Sequence, residues 1–190
     1  MKIFITGASS GIGEALARAY SRPGAHFGLV ARRRELLEKL AAELRGTGAA
    51  VSVYPLDVTD TQAMHAAASD FVERAQGIDR VIANAGIGIG DTLRDGDSES
   101  VRHLMEVNVI GVTNTIVPFI PVALRQGFGT LVAVSSMAGH RALPGRAAYS
   151  ASKAAVITFM DALRMQLVGT GVHSMTLCPG FVHTPLTETL

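Results

Sequence analysis

The sequence predicts a single-domain α/β protein built on a doubly wound parallel sheet, and three observations carry that prediction. Short β-branched apolar runs alternate with helical patterns along all 190 residues. A glycine-rich turn follows the first of those runs directly. Apolar residues make up 48% of the chain and charged residues 17%, with a mean hydropathy of +0.30. That composition suits strands covered by helices on both faces and excludes a disordered chain. A net charge of +1 supplies no general field for nucleic acid or an acidic membrane, so neither is expected as a partner.

Six strands are expected at Lys2–Thr6, His26–Ala31, Val51–Leu56, Arg80–Asn84, Thr130–Ser135 and Val172–Cys178. Helical patterns lie between them, near 12–21, 33–45, 61–76, 98–125 and 147–168. Such a length supports one core rather than two, and no repeat or linker divides it. The stretch Val107–Leu124 is long and apolar, but Asn108, Asn114, Pro118 and Pro121 interrupt it and no flanking charge bias supports insertion. It reads as a buried, kinked core helix. Cys178 is the lone cysteine, which points to a reduced, cytoplasmic setting. Met1 leads straight into the strand-like KIFIT, leaving no space for a signal peptide.

In a doubly wound sheet, ligands bind beyond the carboxyl ends of the strands. The first strand ends in Thr6-Gly7-Ala8-Ser9-Ser10-Gly11-Ile12-Gly13 and opens into a helix. Glycines let the backbone turn tightly and approach a phosphate, and a helix N-terminus offers it free N–H groups and a positive dipole. Taken alone, this turn equally describes an unliganded strand–helix connection. The second strand ends in Ala31, followed by Arg32, Arg33 and Arg34. An acidic residue there would accept the ribose hydroxyls of NAD, whereas arginine suits a 2′-phosphate. The plain alternative is a solvated cluster paired with Glu35 and Glu38. Against it, each cation at a helix N-terminus is disfavoured by roughly 0.3–1 kcal/mol. NADP(H) is therefore expected over NAD(H).

Tyr149 and Lys153 stand four apart on one helical face. A phenol titrates near 10, and lowering that by about three units requires about 4 kcal/mol. An ammonium about 4 Å away contributes on the order of 4 kcal/mol at an effective dielectric near 20. The spacing thus permits a phenol that gives up its proton near neutrality. It equally permits an ordinary stacked pair.

The Gly-x-x-x-Gly-x-Gly turn together with Tyr149-x-x-x-Lys153 resembles the compact branch of the short-chain dehydrogenase/reductase family. Asn84-Ala85-Gly86, Asn108, Ser136 and Pro179-Gly180 extend the resemblance from Lys2 to about Thr184. It implies a Rossmann fold and one dinucleotide-binding and catalytic domain over 1–190. It also implies an oxidoreductase that interconverts a carbonyl and an alcohol on a small molecule. Tyr149 takes the acid/base role, and Lys153 lowers its pKa and holds the nicotinamide ribose. Ser136 rather than Ser135 holds the substrate oxygen, and Asn108 anchors a water linking Lys153 to solvent. Cofactor contacts fall on Gly7, Ser9, Ser10, Gly11, Ile12 and Gly13 in the first turn, and on Arg32, Arg33, Asp57 and Val58. Asn84, Ala85, Gly86, Tyr149, Lys153, Pro179, Gly180, Val182 and Thr184 complete the set, and no metal is expected. NADP-preferring relatives often carry a basic residue where this chain has Ser10.

From residue types alone, the stretch Asp57-Val58-Thr59-Asp60 offers a helix cap at Thr59 or Asp60. His140, Arg141, Leu143 and Phe181 are expected near the substrate mouth. The family normally continues into a lid, a further strand and a helix, so the sequence is expected to be C-terminally incomplete. The helices at 98–125 and 147–168 resemble those that pair protomers, which implies a homodimer or homotetramer. A non-enzymatic dinucleotide-binding regulator is the competing class. The glycine spacing and short chain disfavour an extended-branch epimerase or dehydratase.

Overall fold

A computed structural model of the protein describes residues 1–88 and 93–184. Its six strands are β1 (Lys2–Thr6), β2 (His26–Ala31), β3 (Ala50–Pro55), β4 (Arg80–Ala83), β5 (Gly129–Val134) and β6 (Val172–Leu177). All neighbouring strands are parallel, in the order β3-β2-β1-β4-β5-β6. The chain builds outward from β1 through β2 and β3, then returns past β1 to lay down β4. Connections leaving β1 and β4 therefore diverge, and a crevice opens at their carboxyl ends.

Alternation along β1 assigns the two faces of the sheet. Ile3 and Ile5 point to one side, where they pack with Ala17 of helix α1 (Gly11–Ala19) and Leu37, Leu40 and Leu44 of α2 (Arg34–Gly46). Phe4 points to the other. There it meets Met64, Ala68 and Phe71 of α3 (Thr61–Ala75), Phe119, and Val156 and Met160 of α7 (Ala147–Gln166) within one cluster. The Phe4 ring lies 4.8 Å from Phe119, 5.5 Å from Phe71 and 5.8 Å from Tyr54. Gly28, paired with Phe4 across β1 and β2, makes room for these rings. A Cβ there would lie 2.5 Å from Phe4 and 2.7 Å from Phe71.

The expected helix at 98–125 is one path over Ser98–Gln126, but not one regular helix. It runs as α4 (Ser98–Met105), a π turn (Glu106–Ile110), α5 (Gly111–Ile116), a 3₁₀ turn (Val117–Phe119) and α6 (Ile120–Gln126). Pro118 and Pro121 lack the N–H an α-helix needs and crowd the preceding turn, which accounts for the 3₁₀ segment. By length and composition this helix could cross a membrane, but half of its most apolar window is buried within the protein. It is a kinked core helix, as expected.

Several boundaries move by one or two residues. β4 stops at Ala83 because the Asn84 amide donates to Thr6 Oγ1 instead of a strand. α3 ends at Ala75, where Gln76 turns left-handed at φ 55°. α7 ends at Gln166, ahead of the positive-φ glycines Gly169 and Gly171, rather than at 168. Asp60, not Thr59, caps α3 by accepting from the Ala63 amide.

Adding one methyl at Gly28 should overpack the aromatic cluster and cost about 1–3 kcal/mol. Thermal unfolding followed by circular dichroism should show Gly28→Ala melting well below the parent.

Candidate active site

The first wall of the crevice is the glycine turn. Gly7 and Gly11 adopt positive φ, +67° and +58°, which other residues reach only with strain. Gly13 allows close approach instead, since a Cβ there would sit 2.4 Å from the Gly7 carbonyl and 2.6 Å from Asn84 Nδ2. Asn84 fastens β4 to this turn, its Nδ2 donating to the carbonyls of Thr6 (3.1 Å) and Gly7 (3.3 Å). Thr6 Oγ1 accepts from the amides of Asn84 and Ala85 in return. Ser10 precedes α1 in the N-cap position, yet its hydroxyl makes no cap bond. Helix amides therefore face a cradle that side chains would fill, which fits a dinucleotide pyrophosphate.

The Ser10 hydroxyl serves Arg33 instead. Arg33 Nη2 donates to Ser9 Oγ (2.9 Å) and Ser10 Oγ (2.8 Å). Arg32 lies 3.8 Å from Asp57, whose other oxygen accepts from the Thr59 amide and hydroxyl. Arg32 and Arg33 thus have partners other than Glu35 and Glu38, and Glu38 pairs with Arg45. Val58 is buried beneath the rim, packed where Gly111 carries no side chain.

The opposite wall is the start of α7. Lys153 is 5% exposed, and its Nζ donates to the Val134 carbonyl (3.1 Å) and lies 5.8 Å from the Tyr149 ring centre. Burial pulls the lysine from its ordinary 10.5 down to about 8. Ser136 Oγ accepts from the Ala138 amide (3.1 Å), starting the 3₁₀ turn Met137–Gly139. Tyr149, Lys153 and Ser136 line the same crevice as Gly7, Ser9 and Arg33. Cys178, at the end of β6, is pushed up by burial.

Other expected contacts are spread around this crevice. Gly11, Ile12, Arg32, Asp57, Ala85 and Gly86 line it, as do Ser10, Val58 and Asn84. So do Pro179, Gly180, Val182 and Thr184, and a Cβ on Gly11 would lie 3.1 Å from Thr184. The Pro179 carbonyl accepts from the Met137 amide, tying this strap to the turn after Ser136.

Two expected residues lie off the wall. Gly13 stands behind the turn, and Asn108 is fully buried in the π turn. Asn108 Oδ1 accepts from the Ile87 amide (2.9 Å), while Nδ2 donates to the Ile87 carbonyl (3.0 Å) and Ser152 Oγ (3.1 Å). Its amide is spent on packing. A Cβ on Gly86 would lie 3.2 Å from Asn108 Oδ1 and 3.4 Å from Lys153 Nζ, so only that gap separates them. His140, Arg141, Leu143 and Phe181 are exposed and do not line the crevice. Ala31, Leu56, Ile87, Val107, Val134 and Ser135 line it without having been singled out for it. Except for Ile87 and Val107, each lies at or just past a strand end, the signal that would have found it.

Comparison with known proteins shows the family and the fold. The family model described as short chain dehydrogenase matches residues 1–190. The chain is 41% identical over 185 residues to an uncharacterized oxidoreductase of Myxococcus xanthus, covering 97% of this chain and 73% of that one. Among solved structures, a short chain dehydrogenase/reductase from Burkholderia phymatum in complex with NAD superposes with a TM-score of 0.93 at 30% identity. That match covers 98% of this chain and 68% of the other. An alcohol dehydrogenase from Thermococcus sibiricus complexed with 5-hydroxy-NADP gives 0.88 at 34%, over 95% and 76%.

The lowered lysine has a consequence for stability. Below about pH 8 the folded state holds a buried cation that the unfolded chain would solvate, and that penalty is present in full. It is relieved as pH rises from about 8 toward 10.5, because only the unfolded chain still holds the proton. Lys153→Met should therefore stabilise the ligand-free protein at pH 7 by on the order of 1–3 kcal/mol. The gap in melting temperature between variant and parent should shrink as the pH approaches 10.5.

Proposed function

The chain belongs to the short-chain dehydrogenase/reductase family, and from that premise we propose that it is an NADP(H)-dependent oxidoreductase interconverting a small-molecule carbonyl and alcohol, with Tyr149 as acid/base. The observation that carries this reading is the convergence of Ser136, Tyr149 and the buried Lys153 on one crevice with the glycine turn. Residues 1–190 act in it as one dinucleotide-binding and catalytic domain.

When bound, a nicotinamide supplies or accepts the hydride. In the reducing direction the Tyr149 hydroxyl gives its proton to the substrate oxygen while the carbonyl carbon gains the hydride. In oxidation the phenolate takes that proton back. Ser136 Oγ uses a lone pair on the Ala138 amide, so its own proton is available to donate to the same oxygen. The Lys153 ammonium favours the phenolate electrostatically, and with a pKa of about 8 it is still mostly charged at neutral pH. Asn108 contributes through the position of the π turn against Ile87 and Ser152.

Cofactor choice rests on the rim. Arg33 and the hydroxyls of Ser9 and Ser10 offer donors at the end of β2, where the sequence places no acid. A 2′-phosphate suits that group of donors. Nothing in the crevice favours the non-enzymatic alternative. Self-association through the long helix is supported by Ile110, Val117 and Leu124, spaced seven apart and 46%, 43% and 42% exposed.

Tyr149→Phe should bind NADPH with unchanged affinity by fluorescence titration and lose turnover of a carbonyl panel by at least about a thousandfold. Retained turnover would show that another group moves the proton. Arg33→Asp should weaken NADPH binding by at least about 10- to 100-fold, the loss expected for a charge-assisted pair, and leave NADH binding unchanged or tighter. Equal losses for both nucleotides would remove the NADP(H) assignment. Val117→Glu should convert the oligomer to monomer in light scattering.

A further inference from the structure

Lys153 is gripped at two points by adjacent residues at one strand end. Its Nζ donates to the carbonyl of Val134, the last residue of β5. Its main-chain carbonyl accepts from the hydroxyl of the next residue, Ser135, at 2.8 Å. Ser135 is 3% exposed, and its own amide donates to Leu177 of β6 at 2.7 Å, so the hydroxyl hangs from backbone fixed inside the sheet. Gly139 closes the contact from a third side. A Cβ there would meet the Lys153 carbonyl carbon at 2.8 Å and its oxygen at 2.9 Å. The short turn that begins at Ser136 thus lies directly on the same peptide group.

A carbonyl in mid-helix already has the amide four residues on as its partner. The Ser135 bond is therefore additional to the helix and ties it to the strand. Alanine at this position would leave the α7 ladder complete and remove that tie, together with the contact to the Cys178 thiol. Ser136 carries the available hydroxyl, while the Ser135 hydroxyl holds the Lys153 carbonyl and also meets the Cys178 thiol, a group with no part in the proposed proton transfer. We propose that Ser135 is a positioning residue for the acid/base pair. By holding the Lys153 carbonyl, it fixes where the ammonium stands against the Tyr149 phenol and so sets the pH range in which the pair works. This proposal rests on the roles given to Tyr149 and Lys153 above.

The test compares Ser135→Ala, Ser135→Cys and Ser135→Thr in the full chain. In the direction of alcohol oxidation, Ser135→Ala should lower kcat about fivefold, the equivalent of one net hydrogen bond, with KM for NADP⁺ changed by less than about twofold. The acidic limb of its kcat profile should move to higher pH. Ser135→Thr, which keeps the hydroxyl, should restore both. A lower melting temperature with an unmoved profile would mean an ordinary structural serine and overturn the proposal. Ser135→Cys, a weaker donor, should fall between, and it stands in should the alanine variant not fold.

A second arm needs no turnover. The pH dependence of Lys153 acetylation by acetic anhydride, followed by mass spectrometry, should shift in Ser135→Ala and return in Ser135→Thr. An unshifted dependence overturns the proposal. A parent protein without oxidoreductase activity would sink the function proposed above, and the labelling result would then decide the clamp by itself.

Discussion

An ammonium group held almost out of water is the constraint on which the rest of the crevice depends. Lys153 has one side-chain hydrogen bond, to the Val134 carbonyl, and pays for its burial with a lowered pKa. Such a group keeps a defined position only where its surroundings are rigid, since any slack would let it reach solvent. Rigidity comes from the sheet. Val134 pairs with Leu177 of β6 and the Ser135 amide donates to the same residue, while Gly139 lets the following turn press on the lysine backbone. Tyr149 is held similarly from the other side. Ser152 Oγ donates to the Tyr149 carbonyl at 2.7 Å and accepts from Asn108 in the π turn. Two buried serines thus hold the carbonyls of two residues whose ammonium and phenol ring lie 5.8 Å apart, measured to the ring centre.

The phosphate turn obeys a different constraint, close backbone approach, and one short segment couples the two. Asn84 bonds to the carbonyls of Thr6 and Gly7 on the turn. Two residues on, Gly86 leaves the gap between Asn108 and Lys153. Ile87 then bonds to both ends of the Asn108 amide. The segment after β4 spans the crevice floor, so the distance between phosphate cradle and lysine is set by covalent geometry over three residues. A side chain at Gly86 would press on the ammonium, while one at Gly13 would press on the turn. Both halves answer to the place where β1 and β4 diverge.

Features governed by local rules were legible in the sequence. Alternation in KIFIT gives β1 and both of its faces, and Tyr149 and Lys153 share a face because they are four apart on a helix. The prolines at 118 and 121 announce the kink. Features that depend on distant partners were not legible. The partners that hold the Asn108 amide, Ile87 and Ser152, lie 21 and 44 positions away. Three consecutive arginines look alike, and only the fold sends Arg32 toward Asp57 and Arg33 onto Ser9 and Ser10. The π turn itself leaves no mark that composition or periodicity would reveal. His140, Arg141, Leu143 and Phe181 follow site residues closely in sequence, and the fold leaves them exposed outside the crevice wall.

The same arrangement of arginines bears on how sharply the proposed cofactor preference can act. Specificity arises either from contacts that favour one ligand or from features that reject the other. The rim at β2 offers only the first. Arg33 and two hydroxyls would gain from a phosphate, while a ribose hydroxyl could still donate to a serine oxygen. Asp57 is nearby as an acceptor, with Arg32 close enough to offset its charge. Discrimination built this way is bounded by the value of the phosphate contacts themselves. Such a rim would favour NADP(H) through its phosphate contacts without shutting NAD(H) out.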